Sequence, residues 1–131
     1  ARMPIVWILH LAYAWIPIGL GLKAWALLGD GAGGANWLHA LTVGAIATMI
    51  VAVMTRTSLG HTGRRVEAHR PTVLAYGLLT LAAVVRVVGP AVPSLSYVAL
   101  IVAAAALWST AFAMYLWVYL PILGRPRVNP P

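Results

Sequence analysis

Four histidines and two embedded cations are the residues of this chain that could do chemistry. The histidines are His10, His39, His61 and His69; the cations are Lys23 and Arg86, each set inside a long apolar run. The sequence has no cysteine and only two acids, Asp30 and Glu67. Disulfides, thiolate metal sites, iron–sulfur clusters and Cys nucleophiles are therefore excluded, and paired-carboxylate catalysis has almost nothing to work with. Imidazole remains: in its neutral form it ligates copper or serves as an axial ligand to haem. No nucleophile–base pair stands out, so no catalytic residue is assigned, and any chemistry belongs to a bound cofactor.

Each candidate has a plainer alternative. His10 is followed on its own helical face by Ala14, Pro17 and Gly21, an open groove of small residues. It is either a haem or copper ligand or a histidine hydrogen-bonded to a neighbouring carbonyl. His39 opens a helix beside Trp37, where it either binds metal or sits in an interfacial aromatic belt. Lys23 and Arg86 have no acid within the apolar runs, and Asp30 can reach only one of them. An anionic ligand such as a haem propionate would satisfy the other, and snorkelling to the interface is the alternative. His61 lies in Gly60-His61-Thr62-Gly63-Arg64-Arg65 and is the third candidate for metal. That loop is a cradle for phosphate-like groups or a basic anchor on anionic lipid, but it lacks P-loop spacing. His69 reads as solvated. Met49 and Met54 read as packing, because thioether ligands need His or Cys companions close by.

The elements that must position these residues are membrane spans. The 131 residues are 62% hydrophobic and only 8% charged, against about 25% charged in a soluble domain. Apolar segments run over about 4–28, 37–58, 72–88 and 95–120, separated by connections rich in Gly, Pro and Asn. The second, as a helix, is roughly 33 Å long, enough to cross the hydrocarbon. One transmembrane domain covering residues 1–131 is expected: an all-α, polytopic bundle of four transmembrane helices. The net charge of +7 does not point to nucleic acid, since the charges sit at the ends of the runs. The partner it implies is membrane lipid. Arg2, Arg56, Arg64, Arg65, Arg70, Arg125 and Arg127 fall on one side of a four-span arrangement, so both termini are expected to be cytoplasmic. On straight helices His10 and His39 are roughly 20 Å apart in height and cannot share one iron. His10 is then level with Met54, Tyr76 and Tyr115. Small residues recur at Gly44, Thr48 and Ala52 and at Ala99, Ala103 and Ala106, ridges that serve packing within the chain or an oligomer.

The run HALTVGAIATMIVAVMTRTSLGHTGR from His39 to Arg64 resembles the signature of the NnrS family of bacterial membrane proteins. The similarity extends to His10-Leu11-Ala12-Tyr13-Ala14-Trp15, to Tyr119-Leu120-Pro121-Ile122-Leu123 and to Arg125-Pro126-Arg127. Nearly the whole chain aligns with the C-terminal third of that family, which is similar to a twelve-span bundle. The resemblance implies an inner-membrane protein that holds haem (b-type expected) and copper and takes part in the response to nitric oxide and nitrosative stress. It also implies that four spans are either a fragment or a short relative completed by its own copies or by another membrane subunit. His10 and His39 are the expected haem or metal ligands, with His61 third and Lys23 and Arg86 pairing with propionates. A cofactor-free structural or assembly subunit and an anion-transporter module are the alternatives.

Overall fold

Four long helices make up the computed structural model, which describes residues 4–29 and 34–128. Among the described residues there is no strand, and the fold is all-α. Helix α1 is Pro4–Leu28; α2 is Asn36–His61; α3 is Arg70–Val88, prolonged by a tight 3-10 turn to Ala91; α4 is Tyr97–Leu123. Each is long and apolar enough to cross a membrane. Arg2 and Asp30, which entered the charge reading above, lie outside the described residues.

Local chemistry explains the ends. Pro4 and Pro71 stand in first turns, where a missing N–H costs nothing. The Ser96 hydroxyl caps α4 by accepting from the Ala99 N–H at 3.5 Å. Helix α4 runs on to Leu123 rather than stopping at the expected Leu120, with Pro121 contained in its last turn.

Every face of these helices is apolar, so polarity does not decide which side turns inward. Size does. The buried side of α1 is Ile5, Ile8, Ala12, Trp15 and Gly19, a stripe with alternating three- and four-residue spacing. It meets α2 through two reciprocal knobs. Trp15 lies on Gly44, where an added Cβ would come within 2.5 Å of the indole, and Leu41 lies on Gly19, where it would come within 2.6 Å. The middle of α2, Ala40–Ala47, is π-helical and is flanked by α-helical turns. A wide turn of this kind resets the faces on either side of it, so His39 and Thr48 do not keep the angular relation of a continuous α-helix.

Helices α1 and α2 form one extensive pair and α3 and α4 another, and α2 packs between α1 and α3. One core, at the end carrying both described chain ends, gathers Ile8, Val51, Leu59, Leu79, Tyr115 and Tyr119; a smaller one toward the other end holds Trp15, Ala40, Ala83 and Val87. The two small-residue ridges have different fates. Gly44, Thr48 and Ala52 are buried within the chain, whereas Ala99, Ala103 and Ala106 face outward.

Candidate functional site

The histidines lie in three separate places. His10 is exposed on the outer side of α1, and its Nδ1–H donates to the Val6 carbonyl at 2.8 Å. That bond holds the ring to one tautomer with the Nε2 lone pair directed away from the helix. The groove expected from Ala14, Pro17 and Gly21 is an outward-facing strip, all three being exposed. The residues expected level with His10 are not its neighbours. Tyr76 lies level with it, sharing a pocket with Ile8 and Leu11, but Tyr76 and Tyr115 are buried in the core while His10 faces outward, and Met54 is exposed. The neighbour the structure supplies is Met49: with Leu9 and Tyr13 it lines the shallow depression that holds His10, about 370 Å³ in volume.

His39 is half-buried at the start of the π-helical turn. It opens into a cavity of about 480 Å³ between α2, α3 and α4 that is also lined by Arg86, Trp108 and Ser109, with Val43, Ile101, Ala104 and Ala105. Arg86 is pinned from the side: its Nη2 donates to the Tyr97 hydroxyl at 3.2 Å, and the guanidinium stands 5.4 Å from that ring's centre. Lys23 is exposed, with Nζ 4.9 Å over the Trp37 ring. Both cations therefore lean on aromatic faces, a contact worth about 0.5–1 kcal/mol when exposed. Asp30, their expected acidic partner, is outside the described residues. Because Trp37 and Leu41 pack on Gly19, nine residues beyond His10, the two imidazoles are about 14 Å apart along the axis. That is less than the roughly 20 Å of a straight-helix count, yet still too far for one iron. His61 is exposed at the far end of α2, and no group of three or more His, Cys, Asp or Glu side chains gathers among the described residues.

Comparison with known families now bears on these residues: the family model described as NnrS protein matches residues 1–127. The chain belongs to the NnrS family. No curated protein and no solved structure matches it. The matched stretch takes in both imidazole sites and the Gly60–Arg65 loop of this NnrS chain.

A further constellation in the NnrS chain escaped the reading from residue types. Thr48 and Thr55 on α2 and Thr62 at its C-terminal cap follow one another at seven-residue spacing, with Ser58 between the last two, and all are buried. The Ser58 hydroxyl meets Tyr115 OH at 3.1 Å, Thr72 meets Tyr119 OH at 3.1 Å, and the two tyrosine rings stack with centroids 4.5 Å apart. Three helices are thereby tied at the loop end. Toward the middle of the bundle the satisfaction fails. The Thr55 and Tyr76 hydroxyls face one another without meeting hydrogen-bond geometry, and Thr48 Oγ1 also has no partner. The seven-residue repeat of threonines was the available signal.

Proposed function

We propose that this NnrS-family chain is a haem-binding membrane protein of the nitric oxide response, and that His39 and Arg86 form its haem-binding pair. The observation that carries this reading is their shared cavity. An imidazole, a cation and an indole line one space whose remaining walls are the aliphatic side chains Val43, Ile101, Ala104 and Ala105, which suits a flat macrocycle bearing carboxylates. His39 would hold the iron and Arg86 would meet a propionate, with Tyr97 keeping the guanidinium in place. Bound there, a haem supplies ligand binding and electron transfer. The chain's own part is to fix the imidazole at the π-helical turn and to screen one face from lipid with Trp108. Lys23, on the Trp37 side, is the weaker candidate for a propionate.

His10 supports a second site of different chemistry. Its free Nε2 and the Met49 thioether share one depression, the companion that a soft-metal site requires, and copper is the metal they would take. His61 stands apart from both and is the least supported ligand. The arginines at the loop and tail end favour a chain in the bacterial inner membrane with both termini cytoplasmic. The outward ridge of Ala99, Ala103 and Ala106 favours a second copy or another membrane subunit against α4.

The test is an absorption spectrum and metal analysis of the detergent-purified chain. A Soret band is expected; His39→Ala should abolish or shift it and Arg86→Gln should weaken haem retention. His10→Ala should lower copper content, and His69→Ala should leave both unchanged. A folded, colourless preparation, or a band indifferent to His39→Ala, refutes the haem assignment.

A further inference from the structure

The loop end of the bundle is closed by a contact between two segments distant in sequence. After α4 the chain turns back, and the Val128 N–H donates to the Thr62 carbonyl at 3.0 Å. The approach is close because Gly63 has φ +71° and no side chain. A Cβ there would collide with the Val128 carbonyl and touch Arg127 Cγ at 3.4 Å. The bond therefore draws the tail's Arg125 and Arg127 toward Arg64 and Arg65 of the loop, with Arg70 opening α3 nearby. Arg64 is half-buried, its Nη1 reaching the Thr62 carbonyl at 3.5 Å, while the other four are exposed. Glu67 is the sole acid among the described residues, so charge at this end is not balanced by the chain itself.

We propose that the Thr62–His69 loop and the Gly124–Val128 tail form one clasp that binds the phosphates of anionic lipid headgroups. The proposal rests on the helices being membrane spans and not on the haem assignment. Three features favour lipid over free phosphate. The clasp directly follows the ends of two spans, at His61 and Leu123. Exposed Trp117, Leu120 and Leu123 lead into the tail, placing apolar surface next to the cations as a lipid does. The exposed guanidiniums come from two segments rather than converging on one enclosed pocket, which suits several headgroups at once.

Native mass spectrometry of the solubilised full chain, titrated with phosphatidylglycerol or phosphatidylcholine, tests this. Wild type should retain phosphatidylglycerol selectively. Losing two arginines in Arg125→Gln/Arg127→Gln should weaken retention roughly thirtyfold, at about one kcal/mol for each cation near the surface. Gly63→Ala keeps every charge but opens the clasp, and should weaken retention severalfold; if it fails to fold, Val128→Pro removes the same bond from the tail side. Equal retention of the two lipids, or unchanged retention in the double arginine variant, overturns the proposal. Unchanged retention in both clasp-opening variants overturns the clasp. Displacement of the lipid by millimolar inorganic phosphate would make the ligand a free anion and overturn the lipid assignment.

Discussion

Adding one methyl group at Gly44 should separate α1 from α2. The Cβ of Gly44→Ala would stand 2.5 Å from Trp15 Cδ2, 2.7 Å from Cγ and 2.9 Å from Cε3. Comfortable carbon contacts need about 3.5–4.0 Å, so the shortfall is about 1 Å. The atoms struck belong to the root and body of the indole rather than to a flexible tip. Trp15 is only 7% exposed, so the ring has no free rotamer to swing into. Either α1 moves outward or the indole is displaced, and both cost about 1–3 kcal/mol as overpacking. Reversible unfolding in mixed micelles titrated with dodecyl sulfate, followed by circular dichroism, measures the loss. The clash should disappear when the indole does. In a double-mutant cycle Trp15→Leu should recover at least 1 kcal/mol of the Gly44→Ala penalty, within the range of about 0.5–3 kcal/mol seen for residues in contact. Gly60→Ala supplies the contrast, since nothing lies within 4 Å of its Cβ, and it should cost nothing. Wild-type stability in Gly44→Ala, or a cycle with no coupling, would refute the packing described.

The hydroxyl seam makes two opposed predictions by the same assay. Tyr119→Phe strips the partner from Thr72 in a fully buried site and should cost about 1–3 kcal/mol. Thr48→Val replaces a buried hydroxyl that has no partner by an isosteric methyl, and should leave stability unchanged or raise it, by up to about 1 kcal/mol; a clear loss would mean that Thr48 is bonded after all.

The all-α fold was legible because four apolar runs of bilayer length leave no other solution for the backbone's hydrogen bonds in lipid. The inward faces were harder to read. With every side of a helix apolar, periodicity of polarity carries little signal, and what sorts Trp15 inward and Trp7 outward is the presence of Gly44 on the facing helix. His39 and Arg86, 47 positions apart in the sequence, were each suspected, yet their meeting in one cavity depends on how α2 packs on α3 and α4, which no local pattern encodes. Met49 was passed over for a related reason. A thioether gains meaning only when a histidine of another helix stands beside it, and that is a fact of packing.

The position of the two imidazole sites carries a consequence for how this chain works. Interior positions here are taken by small residues, tyrosines and threonines that lock the helices together, and three hydroxyls are left unsatisfied there. A macrocycle could not enter that core without breaking the Trp15–Gly44 and Tyr115–Tyr119 contacts. His10 and the His39 cavity instead open at the bundle's surface, where any cofactor has the protein on one side only. A polar ligand with one face toward hydrocarbon is poorly sheltered. A stable cofactor site of this kind needs a second wall, from another helix or another copy of the chain. The edge of α4 that lines the His39 cavity and is itself exposed, Ile101, Ala105, Trp108 and Ser109, is the surface best placed to receive it.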